Sequence, residues 1–103
     1  MNISRQEALS ILSAWQDCRT ELRIHKSQSG KSQDFQGRLK NIDKTVIEVE
    51  ADSTGFQIDI EAAEFNGDKA APPSSPYDAY LVCEFRNGDR CSFYADRRKV
   101  PRR

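Results

Sequence analysis

FQGRLKNIDKTVIEVE, residues 35–50, is the stretch on which the fold turns. Phe35, Gly37 and Leu39 alternate with Gln36, Arg38 and Lys40, the period of a strand with one buried and one wet face. Asp43 and Lys44 then make a tight polar turn. The chain resumes over 45–51 as a β-branched strand with Ile47 and Val49 on its inner side. Strand, turn, strand is the expectation here, and the rest of the chain is read outward from it.

Toward the N-terminus, Ser4-Arg5-Gln6-Glu7 is a capping box, in which the Ser4 hydroxyl accepts from the Glu7 amide and the Glu7 carboxylate reaches back. Ala8, Ile11, Leu12, Trp15 and Cys18 follow at spacings of three and four, one face of a helix of about four turns. That face is expected to lie on a sheet or to plug one end of a barrel. Residues 20–26 change period, with Leu22 and Ile24 inward and Arg23 and His25 outward, so a first strand follows the helix almost at once. Residues 27–34 are polar and contain Gly30, and are expected to be an exposed loop.

Toward the C-terminus, residues 52–55 turn the chain. The cleanest alternation follows, Phe56, Ile58, Ile60 and Ala62 against Gln57, Asp59, Glu61 and Ala63. NGDKAAPPSSP, residues 66–76, carries three prolines and is expected to be irregular. Residues 77–96 read as a hairpin around Asn87-Gly88. A two-residue turn would pair Cys83 with Ser92 and mix both faces. A three-residue loop, 87–89, aligns Leu81, Cys83 and Phe85 with Cys91, Phe93 and Ala95 and buries one face, so it is the expected register. Residues 97–103 form a basic tail. The expected fold is α+β: an N-terminal amphipathic helix, then five or six mostly antiparallel strands in meander order, in a small SH3-like or Sm-like barrel or a curved sheet. It occupies residues 1–96 as one domain.

The bulk numbers agree with a thin core. The chain has 103 residues, 37% of them hydrophobic and 31% charged. Its 16 basic and 16 acidic residues cancel, which removes the simplest argument for a nucleic-acid binder. The charges are unevenly spread. Residues 43–68 hold eight acidic residues and one lysine, whereas 86–103 hold seven basic and two acidic ones. Solvated strand faces of opposite sign are the plainer reading of this split; pairing between copies is the other.

Little in the chain suggests catalysis. SGKS, residues 29–32, ends like a phosphate-binding loop, but His25 stands where the first glycine is needed and a strand, not a helix, follows. His25 is the one histidine, on an outer strand face without an evident orienting partner. Cys18, Cys83 and Cys91 lack the close pair that a zinc site needs, and their odd number suits a reducing, cytoplasmic setting. Asp59 and Glu61 are expected on one face near Glu48 and Glu50, hydrated rather than metal-binding. No run is apolar enough for a membrane span. The expectation is a non-catalytic chain with no cofactor and no metal site.

Five of the nine aromatic residues, Tyr77, Tyr80, Phe85, Phe93 and Tyr94, fall in the last hairpin beside Arg86 and Arg90. Phe85 and Phe93 are expected in the core. Tyr80, Val82, Arg86 and Tyr94 are expected to form an interface with a protein partner or a second copy. The alternative is a single-stranded nucleic-acid binder, OB-like or Sm-like, using Arg38, Lys40, Arg86, Arg90, Arg97, Arg98 and Lys99.

Gly37, Leu39, Ile42, Asp43, Val46, Ile47 and Val49 match in order the first motif of Sm-like proteins, including the bacterial host-factor branch, and the chain resembles that family over residues 37–49 and in its helix-first order. The resemblance implies a small barrel in which Gly37 lets the strand bend and Asp43 sets the following loop. It does not extend to RNA contacts. Lys44, Thr45 and Ile47 stand at the base-handling positions, and the second motif is missing from 56–65.

Overall fold

The computed structural model describes residues 2–51, 54–68 and 77–96. After a two-residue strand β1 (Asn2–Ile3), the helix α1 (Arg5–Asp17) starts where the capping box puts it. The Glu7 amide donates to Ser4 Oγ at 3.1 Å, and the Ser4 amide donates back to the Glu7 carboxylate at 3.4 Å. Ala8, Ile11, Leu12 and Trp15 are buried as their spacing predicts. Cys18 is not on that face. It caps the helix and is exposed, because the chain leaves the helix there. Arg19 adopts a left-handed φ of 53°, Thr20 donates back to the Trp15 carbonyl at 3.0 Å and Arg19 to that of Gln16 at 3.1 Å. This is a Schellman stop with arginine at the position that glycine usually fills.

Seven further strands follow: β2 (Leu22–Gln28), β3 (Lys31–Ile42), β4 (Val46–Ala51), β5 (Thr54–Asp59), β6 (Glu64–Asp68), β7 (Tyr77–Glu84) and β8 (Arg90–Asp96). The result is an α+β fold with one eight-stranded antiparallel sheet in the order β1-β6-β7-β8-β2-β3-β4-β5. Two meanders, β2 to β5 and β6 to β8, are joined where β2 pairs with β8.

The sheet must curl. In a flat sheet the six gaps between β6 and β5 would span about 29 Å, yet residues 60–63 connect the two strands and reach at most about 19 Å. The bend falls in β3. Its first half pairs with β2 and its second with β4, and Gly37 belongs to both ladders, opposite Leu22 and Ala51. A Cβ at Gly37 would stand 2.6 Å from Ala51 Cα, so only glycine allows this approach. Further along, a bulge at Lys40 shifts the register, and Gln16 on α1 donates to the Lys40 carbonyl at 3.0 Å. Leu22, Ile24, Ile47, Val49, Ile60, Leu81 and Phe93 fill the interior, together with the apolar face of α1. Among the described residues no ladder joins β5 to β6 or β1, so the sheet is not closed.

Besides Cys18, the structure differs from the sequence expectation in having eight strands rather than five or six, β1 and β6 being the additional ones, and at four further places. Residues 27–34 are not a loop but a hairpin: Gln28 pairs with Lys31 across Ser29 and Gly30, whose φ values of 53° and 80° suit a two-residue turn that matches strand twist. The strand from Phe56 ends at Asp59, where the turn at 60–63 shifts the phase, so Ala63 is buried and Ala62 exposed. Residues 66–68, expected to be irregular, continue β6; the expected irregular segment from 69 to 76 lies outside the described residues, as does the 97–103 tail. Finally, the last hairpin has a three-residue loop, but it is 86–88. Gly88 donates to the Phe85 carbonyl and takes φ 92°, Phe85 donates to Asp89, and Cys83 pairs with Cys91 and Leu81 with Phe93. The buried parity is as expected and the register two residues different, because glycine is needed at the last loop position rather than in its centre. Phe85 is therefore only half-buried, while Phe93 is fully in the core.

Candidate functional site

Strand alternation places one row of side chains from β7, β8, β2 and β3 on the outer face of the sheet. Tyr80 stands directly opposite Tyr94, and Tyr94 opposite Arg23. The next rung runs Val82, Ser92, His25 and Asp34. The two tyrosine rings stack with centroids 6.4 Å apart and planes 27° apart, and both are half-buried. Such a cross-strand pair contributes about 0.2–1 kcal/mol to the sheet. Ser92, small and central, is only 4% exposed beneath its larger neighbours. His25 Nδ1 lies 2.6 Å from Asp34 Oδ1 at the border of this face. Its partner is thus a carboxylate on the neighbouring strand, invisible in the sequence because the pairing is set by the hairpin at 29–30.

Of the four residues expected to form an interface, the structure brings Tyr80, Val82 and Tyr94 together and leaves Arg86 apart. Arg86 is exposed in the β7–β8 turn, six positions from Tyr80, or about 20 Å along a strand. The residues offered for nucleic acid are also divided. Arg90 ion-pairs with Glu84 at 3.5 Å near that turn, whereas Arg38 lies opposite Glu50 in the half of β3 beyond Gly37, with Lys40 in the bulge. Arg97, Arg98 and Lys99 fall outside the described residues.

Asp43 organises its turn. Its side chain accepts from the Lys44 amide at 2.6 Å, and its own amide donates to the Val46 carbonyl at 2.8 Å. The expected acidic face assembles in part: Asp59 lies on the same side of the β4–β5 ladder as Glu48 and Glu50, and Glu61 does not join them. Glu48 stands opposite Gln57, which donates to it at 3.1 Å, Glu50 stands opposite Gly55, and Glu61 sits in the turn after β5. No group of acidic, cysteine or histidine side chains among the described residues has metal-binding geometry. Cys83 and Cys91 face each other inside the sheet as free thiols. Burial pushes the Cys91 thiol up to about 12, and burial with the neighbouring Cys91 pushes Cys83 further in the same direction. Neither thiol is set up as a nucleophile.

Two functional candidates escaped sequence reasoning. Arg23 was placed on the outer face by alternation, but its neighbour Tyr94 is some seventy positions away in sequence and known only from the β2–β8 pairing. Lys26 shares the inward parity of Leu22 and Ile24, and its ammonium lies 4.8 Å from the centre of the Phe56 ring. An inward lysine at a strand end reads in sequence as the strand simply leaving the core. No helix among the described residues is long and apolar enough to cross a membrane. Comparison of the chain with protein-family models, with curated proteins and with solved structures finds no match.

Proposed function

We propose that this protein is a non-catalytic interaction module of the cytoplasm that self-associates or docks a protein through the outer face of β7, β8 and β2. The observation that carries this reading is the stacked Tyr80–Tyr94 pair, flanked by Val82 and Arg23 and half-buried on the outer face of the sheet. Tyrosine and arginine are among the residue types enriched in interface hot spots. The same reading takes the curled sheet as a small SH3-like or Sm-like barrel left open beside β5, with Gly37 and Asp43 in structural roles.

The test is the absolute mass in solution by light scattering, over a concentration series at low and moderate salt. A dimer or larger assembly that becomes monomeric in a Tyr80→Thr/Tyr94→Thr variant supports self-association through this face. A monomer at every concentration withdraws self-association. An assembly that the double substitution leaves intact moves the interface elsewhere. The nucleic-acid reading is the second one and draws on exposed Arg86 and Arg90. Saturable binding of a labelled single-stranded oligonucleotide that falls steeply with salt supports it.

A further inference from the structure

Where the sheet fails to close, it leaves a cavity. Its volume is about 400 Å³, and it lies between the end of β2, the β7–β8 turn and the edge strand β5. That volume is within the range of small-molecule sites. The lining has two parts. Ile58, Phe85 and Cys91 supply an apolar floor, and Lys26, Arg86 and Arg90 supply cationic groups around it.

Among the described residues the carboxylates on the rim, Asp59 and Asp89, form no direct ion pair with these cations and are hydrogen-bonded within the turns instead. Asp89 accepts from the Ser29 amide at 3.1 Å with one oxygen and from Asn87 Nδ2 at 3.0 Å with the other. Asp59 accepts from the Glu61 amide at 3.0 Å. Arg90 is held by Glu84, outside the cavity lining. Lys26 differs from the other cations in position. It is on the inward side of β2, directly opposite Cys91, and its ammonium rests on the Phe56 ring, whose neighbour Phe35 is 4.8 Å away. No described carboxylate pairs with it. An ammonium so placed loses part of its hydration and gains only a cation–π contact in return, which leaves it disposed to meet an anion.

We propose that this cavity binds a small organic acid with an apolar or aromatic body, its carboxylate meeting Lys26 with support from Arg86, and its body lying on Ile58, Phe85 and Cys91. The competing explanation is that Lys26 is an inward charge that protects the open end of the sheet against association.

The experiment is an amide NMR titration of the full chain at constant ionic strength, with phenylbutyrate as the probe and phenylbutyramide as its uncharged counterpart. The proposal expects saturable shifts at Ile58, Phe85 and Cys91, with the acid binding about tenfold more tightly than the amide, the worth of one charge-assisted contact. Lys26→Met should erase that preference and leave the weak binding of the amide in place. If Lys26→Met does not give the spectrum of the folded protein, Arg86→Gln, in an exposed turn, should weaken acid binding several-fold and amide binding little. Absence of saturable shifts at these residues overturns the proposal, as does equal binding of acid and amide. A preference for the acid that survives the substitution in a folded variant overturns it too.

Discussion

Arg5, in the first turn of the helix, donates to the carbonyl of Ile60, beyond the end of the edge strand, at 2.9 Å. The same guanidinium reaches the carbonyls of Glu61 at 2.7 Å, Ala63 at 3.3 Å and Lys44 at 3.2 Å, and lies 5.3 Å from the centre of the Phe65 ring. One side chain thus ties the helix to the β3–β4 turn and to the β5–β6 connection, across the gap that backbone pairing leaves open. The five donors of the guanidinium, set in a rigid fork, let its two terminal nitrogens reach both connections, one at Lys44 and the other at residues 60–63.

Arg5→Ala should therefore destabilise the protein by about 2–3 kcal/mol, more than an ordinary surface substitution, because several carbonyls lose a charged donor together. Arg5→Lys should recover less than half of the loss, lacking the fork. Urea denaturation followed by Trp15 fluorescence measures both. Equal stability of Arg5→Ala and the parent chain would remove the clamp from the account.

Gly37→Ala should be the most damaging single methyl group in the chain. The added Cβ meets the backbone of Glu50 and Ala51 in the neighbouring strand, where nothing can rotate away. A loss of about 3 kcal/mol or more is expected, enough to unfold a marginal domain. Gly30→Ala meets no atom within 4 Å but keeps a φ of 80°, so its cost is expected to be smaller, about 1–2 kcal/mol. Thermal melts of the two variants should rank in that order.

Arg19→Gly should stabilise the protein by about 0.5–1 kcal/mol. The residue sits at φ 53° in the helix stop, where a side chain costs conformational energy and glycine does not. The gain is less than the full cost because glycine also loosens the unfolded chain. Chemical denaturation decides it, and a loss of stability would mean that the arginine side chain has a compensating contact.

The thiols should separate into one reactive and two inert groups. Cys18 is exposed, whereas Cys83 and Cys91 are buried. A thiol reagent should modify one cysteine per folded chain quickly and all three only after denaturation. The buried pair also makes the fold sensitive to alkali. Folding holds the Cys91 thiol at about 12 against an ordinary value of 9.0, and Cys83 is shifted the same way. The unfolded chain therefore releases these protons first. Their contribution to stability is fully present below pH 9.0 and is lost as pH rises toward 12, at roughly 1.4 kcal/mol per pH unit for each thiol. A Cys83→Ala/Cys91→Ala variant should be less stable at neutral pH but show a shallower alkaline fall.

Local signals in the sequence carried over where the partner of each group lies close in the chain. The Ser4–Glu7 box, the buried face from Ala8 to Trp15, and the hairpin from Phe35 to Ala51 all use neighbours within a turn or one hairpin. The Ser29–Gly30 turn was missed because strands β2 and β3 are polar at their outer ends, where the sheet projects beyond the core and alternation has nothing to bury. β6 was missed beyond Phe65 because its short run after the turn at 60–63 holds too few residues to show a period.

The candidate site was legible only in part. Alternation alone put Tyr80, Val82 and Tyr94 on an outer face, since side-chain direction in a strand is a property of parity. That Arg23 borders them, that Arg86 stands apart, and that Lys26 enters a cavity with Phe85 and Ile58 depend on which strands meet. The sequence by itself determined the helix with its cap, the buried parity of nearly every strand, and the glycine at the bend, because these follow from backbone geometry and local hydrogen bonding. Only the tertiary structure decided the pairing of β2 with β8, the gap left beside β5 and the four carbonyls gathered by Arg5, because contacts between distant segments arise from how the whole sheet curls to cover one core.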